Sequence, residues 1–262
     1  MKIHPTALVH PDAELAEGVE VQAFTIIGPH VKIGPGTVVG PHCVLDGRTV
    51  IGEENHIYSG AQIGVLSQDL KHKQGLIGRT QIGNHNIIRE HVTVSACTLT
   101  SSDEEHRVTS IGDYCMLMAY SHVAHDCHVG SGVVMANCAS LAGHVEVEDR
   151  AILGGLSGVH QECVVGTMSF IGGLSRVARD APPYMIVDGN PARCCGPNTV
   201  GLKRNGLDTI QRNRIKQMYK IMFHSDLNTT QALHEIETSV ENCEERAHFL
   251  EFVRRSVRGV TK

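Results

Sequence analysis

Four histidines fall within a short stretch of this chain, and one of them is followed directly by a carboxylate. They are His122, His125, His144 and His160, and Asp126 follows His125. A neutral imidazole that titrates near physiological pH suits general-base catalysis, and an adjacent carboxylate can orient its ring. Because a single surface histidine is more often incidental, a functional site is predicted only if the fold brings these side chains together.

An aliphatic residue recurs at every sixth position over most of the chain. A small or β-branched residue usually stands four positions later, and glycine often follows the aliphatic directly. One large inward residue, one small inward residue and a bend describe a short strand and a corner. Three such strands close a triangular coil of 18 residues, so the sequence predicts an all-β parallel β-helix of stacked coils. The recurring aliphatics are Ile3, Val9, Leu15, Val21, Ile27, Ile33, Val39, Leu45, Ile51, Ile57, Ile63, Ile82, Ile88, Val94, Ile111, Leu117, Val123, Val129, Met135, Leu141, Val147, Leu153, Val159, Val165, Ile171 and Val177.

Stacked coils place each residue beside the residues 18 positions before and after it. This rule puts Gly143 over His125. It also puts His144 over Asp126, and Glu162 over His144. The unobstructed backbone N–H of a glycine suits the oxyanion that forms when a thioester is attacked. The sequence therefore predicts an acyl-transfer site.

A second column of small residues runs along the outside of the predicted coils. Gly155 lies 18 positions before Gly173, and Asn137 lies below both. Missing side chains in line would leave a groove for an extended chain, although glycine also serves as a corner residue in such a fold. The column predicts an acyl groove.

Two segments interrupt the repeat, and a third region replaces it. Residues 65–80 and roughly 96–109 are predicted loops ejected from the coils, where sites on rigid scaffolds tend to lie. From about Asp208 the apolar residues follow helical spacing. We predict a β-helix over 1–195 and a small C-terminal α-helical domain over 196–262. The residues with helical spacing are Ile210, Ile215, Met218, Ile221, Met222, Leu233, Ile236, Val240, Phe249, Leu250 and Val253.

The formal net charge of −5 argues against a general nucleic-acid-binding protein. Residues 200–262 hold 11 Lys and Arg against 8 Asp and Glu, which fits either a solvated basic surface or a docking face for an acidic partner. The sequence shows no signal-peptide pattern and no stretch approaching the ~20 apolar residues of a membrane span. We therefore expect a cytoplasmic protein without a membrane anchor.

Nine cysteines without CxxC spacing indicate neither a disulfide framework nor a thiolate zinc site. Cys43, Cys115, Cys127 and Cys163 occupy the small inward position, and Cys243 lies in the helical tail. We expect these five side chains to behave as small hydrophobic groups.

Five short segments make the pattern specific. In this order and combination they resemble the acyl-carrier-protein-dependent UDP-N-acetylglucosamine O-acyltransferases of lipid A synthesis, a hexapeptide-repeat family whose β-helix is left-handed. The similarity covers essentially the whole chain. The segments are 68–71 (QDLK), 122–127 (HVAHDC), 141–144 (LAGH), 158–161 (GVHQ) and 201–204 (GLKR).

The resemblance implies a homotrimer that transfers a 3-hydroxyacyl chain from acyl carrier protein to UDP-N-acetylglucosamine. His125 would be the general base oriented by Asp126, and the Gly143 N–H would stabilise the oxyanion. Gly155 would line the acyl groove and Gly173 would end it, leaving room for a long chain. No cofactor is implied beyond the phosphopantetheine thioester on the carrier protein. The other implied contacts are His122, His144, His160 and Gln161 with the sugar and diphosphate, Asn198 and Arg204 with the nucleotide, and Gln68, Asp69 and Lys71 of a neighbouring subunit's loop with the acyl and pantetheine groups.

The chain departs from the family pattern at three places. The segment 95–97 reads Ser-Ala-Cys where His-Arg-Gly is usual, Glu162 stands where Phe is common, and Asn205 stands where a second Arg is common. Some relatives acylate a 3-amino sugar, so ester and amide products both stay open.

Three other functions are alternatives to transfer of an acyl chain from acyl carrier protein. An acetyl-CoA-dependent sugar acetyltransferase and a non-catalytic scaffold subunit use the same architecture and stay open. A zinc site like that of γ-class carbonic anhydrases is not expected, because no two histidines here have the His-x4-His spacing.

Overall fold

A computed structural model describes residues 1–102, 104 and 106–262 of the chain. Asp103 and Glu105 of the second predicted loop lie outside the described residues. The described part contains 28 strands and four helices. The strands are β1 (Lys2–Ile3), β2 (Leu8–Val9), β3 (Glu14–Leu15), β4 (Glu20–Val21), β5 (Ile26–Ile27), β6 (Lys32–Ile33), β7 (Val38–Val39), β8 (Val44–Leu45), β9 (Arg48–Ile51), β10 (His56–Ile57), β11 (Gln62–Val65), β12 (Arg79–Ile82), β13 (Ile87–Ile88), β14 (Thr93–Ser95), β15 (Thr109–Ile111), β16 (Met116–Leu117), β17 (His122–Val123), β18 (His128–Val129), β19 (Val134–Met135), β20 (Ser140–Leu141), β21 (Glu146–Val147), β22 (Ile152–Leu153), β23 (Gly158–Val159), β24 (Val164–Val165), β25 (Phe170–Ile171), β26 (Arg176–Val177), β27 (Met185–Gly189) and β28 (Ala192–Pro197). The helices are α1 (Thr199–Arg204), α2 (Thr209–His224), α3 (Thr229–Ser239) and α4 (Glu244–Arg255).

Each coil contributes one strand to each of three sheets, which are the sides of a triangular prism. Face A contains β1 and every third strand up to β25, followed by the antiparallel pair β27 and β28. Face B runs from β2 to β26 and face C from β3 to β24 by the same rule, and neighbouring strands in both are parallel. The pairing of Lys2 with Glu20 and of Val134 with Ile152 shows the predicted 18-residue coil.

The predicted aliphatics share one interior. From Val21 to Val177 each of them is at most 3% exposed, whereas Ile3, at the open end of the prism, is 45% exposed. The chain is therefore a parallel β-helix with a small C-terminal helical domain, as the period of the sequence predicts. The helix is left-handed, as the family resemblance implies.

Several small inward side chains also donate hydrogen bonds to backbone carbonyls. The Cys43 thiol donates to the Tyr58 carbonyl and the Cys115 thiol to the Gly130 carbonyl, each with an S···O distance of 3.1 Å. The Thr25 hydroxyl donates in the same way to the Gly40 carbonyl at 2.6 Å. Cys43 and Cys115 are thus buried in the core, as expected for small hydrophobic groups, and their S–H groups also bond backbone carbonyls at the corners.

The helices pack around a second apolar core that includes Met218, Ile236 and Phe249, and Tyr184 and Met185 of the β-helix join it. Ile210 does not, because it is 61% exposed, so the apolar face of α2 begins later than predicted. None of the described helices combines the length and the apolar character that a bilayer crossing requires.

A largely buried carboxylate joins the helical domain to the β-helix. Glu148 accepts from the Thr167 N–H at 2.7 Å, lies 3.0 Å from Nε2 of His248 and pairs with Arg255. His248 in turn bonds the Tyr184 hydroxyl through Nδ1 at 2.8 Å. Burial alone would raise the pKa of Glu148, but the hydrogen bond and charge of His248 and the bonds from Thr167 outweigh burial and lower it.

We expect Glu148→Gln to lower the free energy of unfolding by about 1 to 3 kcal/mol at pH 7, since charge-assisted hydrogen bonds are lost. A carboxyl whose pKa is lower in the folded state stabilises the fold above its unfolded pKa, and this contribution disappears as the pH falls through the folded pKa. The difference between wild type and variant in urea unfolding should therefore shrink in acid. Glu237→Gln, which removes an exposed pair with Arg254, is the control and should cost about 1 kcal/mol or less. An equal loss in both variants at pH 7 would contradict the prediction.

Candidate active site

Both loops leave the β-helix at the corner between faces B and C, which we term the B–C corner. Residues 66–78 connect β11 to β12, and residues 96–108 connect β14 to β15. His125 lies at the same corner one coil further along, between β17 and β18, and Gly143 follows between β20 and β21. Both interruptions of the repeat thus lie at the corner of His125, on the two coils that precede it.

His125 and Asp126 form a tight, largely buried pair. Nδ1 of His125 lies 2.9 Å from Oδ2 of Asp126, and the two side chains are 13% and 8% exposed. The same carboxylate oxygen accepts the Thr98 N–H at 3.1 Å, and the Asp126 N–H donates to the Thr109 hydroxyl at 2.8 Å. Because Asp126 is held from both sides, it fixes the orientation of the imidazole and leaves Nε2 as the reactive nitrogen.

Gly143 lies directly against the His125 ring, as the stacking rule predicts. A Cβ atom at this position would sit 2.4 Å from Cε1 and 2.6 Å from Nε2 of His125, so only glycine fits. In the described part of the chain, the Gly143 N–H has no acceptor, while its carbonyl accepts the Glu162 N–H at 3.1 Å. The imidazole of His125, which can act as a base, and the unused N–H donor of Gly143 are therefore adjacent.

Asp69 of the first loop adds a carboxylate to the site of its own chain. One of its oxygens and one ring nitrogen each of His125 and His144 lie within 4.8 Å of one another. The Lys71 backbone N–H lowers the pKa of Asp69, and electrostatic interactions with His125, Lys71 and His144 lower it further. The loop thus folds back onto the corner from which it leaves. The predicted contact of Gln68, Asp69 and Lys71 with the site of a neighbouring subunit stays a prediction.

The same three side chains are the set that could hold a divalent cation among the described residues. Since Asp126 already occupies Nδ1 of His125, such an ion would need Nε2, the nitrogen required for base catalysis. The expectation of no metal site therefore stays a prediction, which a chelator tests below.

The two loops are bonded to each other beside this pair. The hydroxyls of Ser67 and Thr98 are 2.7 Å apart and buried, and the Ser67 oxygen also accepts the Asp69 N–H at 3.2 Å. The Lys73 N–H donates to the Leu99 carbonyl at 2.8 Å. Thr98 thereby connects the loop that carries Asp69 to the carboxylate that orients His125.

We expect Thr98→Val to loosen the first loop, because the buried Ser67 hydroxyl keeps the Asp69 N–H but loses its bond to the second loop, at a cost of about 1 to 3 kcal/mol. Amide hydrogen exchange in residues 66–76 should accelerate by about 5- to 150-fold, the equivalent of that energy. Thr100→Val is the matched control, since the Thr100 hydroxyl is exposed and bonds only within its own loop, to Glu104. Unchanged exchange in the Thr98 variant would show that the hydroxyl pair does not hold the loop.

His122 lies on face B just before the B–C corner. Its Nδ1 is 2.7 Å from the Thr93 hydroxyl on the strand below. Burial lowers the pKa of His122, and the electrostatic interaction with His125 lowers it further. His122 is therefore a neutral group that can donate or accept a hydrogen bond beside the base.

Two family models match this chain. The model described as UDP N-acetylglucosamine O-acyltransferase, domain 2, matches residues 180–261, and the bacterial transferase hexapeptide model matches residues 12–47 and 109–143. The acyl-[acyl-carrier-protein]–UDP-N-acetylglucosamine O-acyltransferase of Syntrophobacter fumaroxidans is 46% identical over 100% of both chains. This chain belongs to the UDP-N-acetylglucosamine O-acyltransferase family. The resemblance inferred from its motifs is confirmed.

Solved members of the family share the whole architecture. The structure of LpxA from Acinetobacter baumannii matches with a TM-score of 0.94 and 38% identity, covering 99% of each chain. The UDP-N-acetylglucosamine acyltransferase from Francisella novicida matches with a TM-score of 0.94 and 36% identity, covering 99% of this chain and 93% of that one. The helical tail therefore belongs to the family fold as much as the prism does.

The family's remaining candidate residues spread along the same corner and beyond it. His144 is exposed and its ring stands at 87° to that of His125, with centroids 5.2 Å apart. His160 and Gln161 are exposed on the next coil of the B–C corner, where Nδ1 of His160 lies 3.1 Å from the Gln161 carbonyl. Gln68 and Lys71 are exposed on either side of Asp69.

The two predicted nucleotide contacts differ in their surroundings. Arg204 is exposed at the end of α1. Asn198 is only 7% exposed; its side-chain oxygen accepts the Gly201 N–H, and its amide donates to the Met168 carbonyl at 2.9 Å. Asn198 thus caps α1, and a contact between its side chain and a nucleotide would compete with this role.

The residues at the three departures from the family pattern lie in different parts of the fold. Ser95 is buried, at 1% exposure, where it continues strand β14. Asn205 donates through its side chain to the Gly201 carbonyl at 2.9 Å and so ends α1. Glu162 is exposed and lies 3.8 Å from Arg258 of the C-terminal tail.

The predicted acyl groove runs along a different edge, the corner between faces A and B. A Cβ atom on Gly155 would meet the Asn137 carbonyl at 3.3 Å, and one on Gly173 would meet the Gly155 carbonyl at 3.3 Å. The column therefore stacks as predicted. Because it stands at the opposite end of the face B strands from His125, one chain does not bring groove and base together.

Sequence reasoning missed Ser67, Thr93, Thr98 and Thr109, which hold the reactive side chains in place. Thr109 occupies the small inward position of its coil, so its contact with Asp126 was accessible from the stacking rule once the loop length was known. Ser67 and Thr98 lie in the interruptions, where the period that assigns neighbours is lost.

Proposed function

We propose that this chain transfers a 3-hydroxyacyl chain from acyl carrier protein to the 3-position of UDP-N-acetylglucosamine, the first step of lipid A biosynthesis. The observation that carries the proposal is the His125–Asp126 pair lying against the backbone of Gly143. This arrangement offers a base for a hydroxyl and a donor for an oxyanion at one point. The names of relatives that match over the full length carry this activity.

In the proposed mechanism Nε2 of His125 takes the proton of the sugar 3-hydroxyl as its oxygen attacks the thioester carbonyl carbon. The new C–O bond places a negative charge on the carbonyl oxygen, which accepts the Gly143 N–H. Collapse of this intermediate breaks the C–S bond, and the departing phosphopantetheine thiolate receives the proton from the imidazolium. Asp126 stabilises the imidazolium and keeps the proton of Nδ1 in place. The cycle needs no cofactor and no covalent enzyme intermediate.

The neighbouring polar groups would hold the acceptor. His144, His160 and Gln161 lie on the coils that follow the base at the B–C corner, and His122 lies beside the base on face B. These side chains would bind the sugar and the diphosphate. Arg204 would pair with the nucleotide, and Asn198 stands at the other end of the same helix, α1. The loop that holds Gln68, Asp69 and Lys71 would contact the acyl and pantetheine groups.

We infer that the active form is a homotrimer. The groove of Gly155 and Gly173 and the base His125 lie on separate corners of one prism, so a second copy is needed to place a groove beside a base. Cyclic packing of three prisms would provide three such clefts with one repeated interface.

The donor is proposed to be a carrier protein, which is acidic, and the reaction is placed in the cytoplasm. Lys216 and Lys220 are exposed on α2 and line a surface cavity with Tyr219, His224 and Pro197. A cationic rim around an aromatic side chain suits electrostatic capture of an acidic partner.

The test is to incubate the protein with UDP-N-acetylglucosamine, or its 3-amino analogue, and 3-hydroxyacyl carrier proteins of several chain lengths, and to detect the acyl-sugar nucleotide by mass. We expect product with long chains, at a rate that EDTA does not change. Transfer from acetyl-CoA instead would identify a sugar acetyltransferase, and absence of all products would favour a scaffold subunit. Loss of activity in EDTA would assign Asp69, His125 and His144 to a metal.

A further inference from the structure

The peptide group between Ala142 and Gly143 links the interior of the prism to the proposed oxyanion site. A trans peptide is planar, and its C=O and N–H point in opposite directions. The Ala142 carbonyl points inward, where it accepts a hydrogen bond from the Cys127 thiol with an S···O distance of 3.1 Å. The Gly143 N–H therefore points outward, on the side where His125 lies.

The Cys127 thiol is equipped to hold this peptide. Its side chain is fully buried, and burial raises its pKa to about 12, so the S–H donor persists at neutral pH. The hydrogen bond to the Ala142 carbonyl fixes the direction of the S–H group. A hydrogen bond to an amide oxygen also polarises the amide and strengthens its N–H as a donor.

The same contact recurs elsewhere in the prism without this consequence. Cys115 is also buried, and its thiol bonds the Gly130 carbonyl at 3.1 Å. The peptide that follows Gly130 lies at the corner between faces C and A, away from His125. Cys115 therefore reproduces the structural part of the Cys127 contact and serves as its matched control.

We propose that Cys127 is a positioning residue for acyl transfer, because its thiol fixes the direction and the donor strength of the Gly143 N–H. The inference rests on the proposed function, in which that N–H stabilises the oxyanion. It predicts that the S–H donor affects the chemical step and leaves the binding of the sugar nucleotide unaffected.

The test compares Cys127→Ala and Cys127→Ser with Cys115→Ala and Cys115→Ser in the full-length protein. We expect Cys127→Ala to lower kcat by about 3- to 10-fold with little change in KM, since a misplaced donor weakens transition-state stabilisation. Cys127→Ser, which retains a donor, should remain within about twofold of wild type. Cys115→Ala should lower Tm by a similar amount and leave kcat unchanged. If Cys127→Ala does not fold, Cys127→Val replaces it as the variant that fills the site without a donor. The coil tolerates valine at this position, because Val145 is buried at the equivalent place one coil above.

A folded Cys127→Ala or Cys127→Val enzyme with wild-type kcat would overturn the inference, as would an equal loss of kcat in Cys115→Ala or a failure of serine to restore it. These outcomes differ from failure of the proposed function. If wild type forms no acyl-sugar nucleotide, the function itself is wrong. If wild type is active and His125→Ala is not, while Cys127→Ala is normal, only the role of Cys127 is excluded.

Discussion

Replacing His125 with alanine should lower kcat/KM for acyl-sugar nucleotide formation by about 10²- to 10⁴-fold, the range expected for loss of a positioned general base. The side chain is 13% exposed, and its Nδ1 is fixed by Asp126 at 2.9 Å, so Nε2 has one defined direction. Removing the ring leaves the Gly143 N–H in place, and the residual rate measures what the oxyanion donor achieves without a base.

His128→Ala is the matched control for this prediction. His128 is only three positions away, is exposed on face C and bonds the Ser110 hydroxyl through Nδ1 at 2.9 Å. Its loss should change kcat/KM by less than about twofold, because surface substitutions away from a site rarely matter. Equal rates for wild type and His125→Ala would remove His125 from the mechanism.

The period of the sequence is sufficient to predict the prism, its interior and the contact between Gly143 and His125. A constant coil of 18 residues converts sequence distance into spatial neighbours, so each aliphatic and each corner residue has an assigned partner. Gly143 lies where this rule puts it, because no insertion separates the coils of His125 and Gly143.

Where the period fails, the sequence no longer assigns neighbours. Asp69 and Thr98 lie in loops whose return path depends on hydrogen bonds between the loops, and neither length nor composition encodes these bonds. The proximity of Asp69 to His125 and His144 of its own chain was not predicted for this reason. The inward cysteines show a second limit, since residue volume predicts that Cys127 fits the interior but does not predict which carbonyl its S–H bonds.

Gly143→Ala should lower kcat by about 10²-fold or more while the protein remains folded. The new Cβ would sit 2.4 Å from Cε1 and 2.6 Å from Nε2 of His125, so either the ring or the backbone must move. The two sides of this contact are the base and the oxyanion donor, and a displacement of about 1 Å at such a site costs about that factor in rate.

Gly158→Ala distinguishes this effect from a general cost of adding a methyl group to the coil. Gly158 is on face B one coil further along, and a Cβ there meets nothing within 4 Å. We expect this variant to keep wild-type kcat and Tm, measured beside Gly143→Ala in one assay. A Gly143→Ala enzyme with more than about a tenth of wild-type kcat would mean that the base tolerates displacement, which the reaction geometry proposed for His125 does not permit. The clash between a methyl group added at Gly143 and the His125 ring is thus the strictest test of the site. It depends on the stacking of two coils and on no residue outside them.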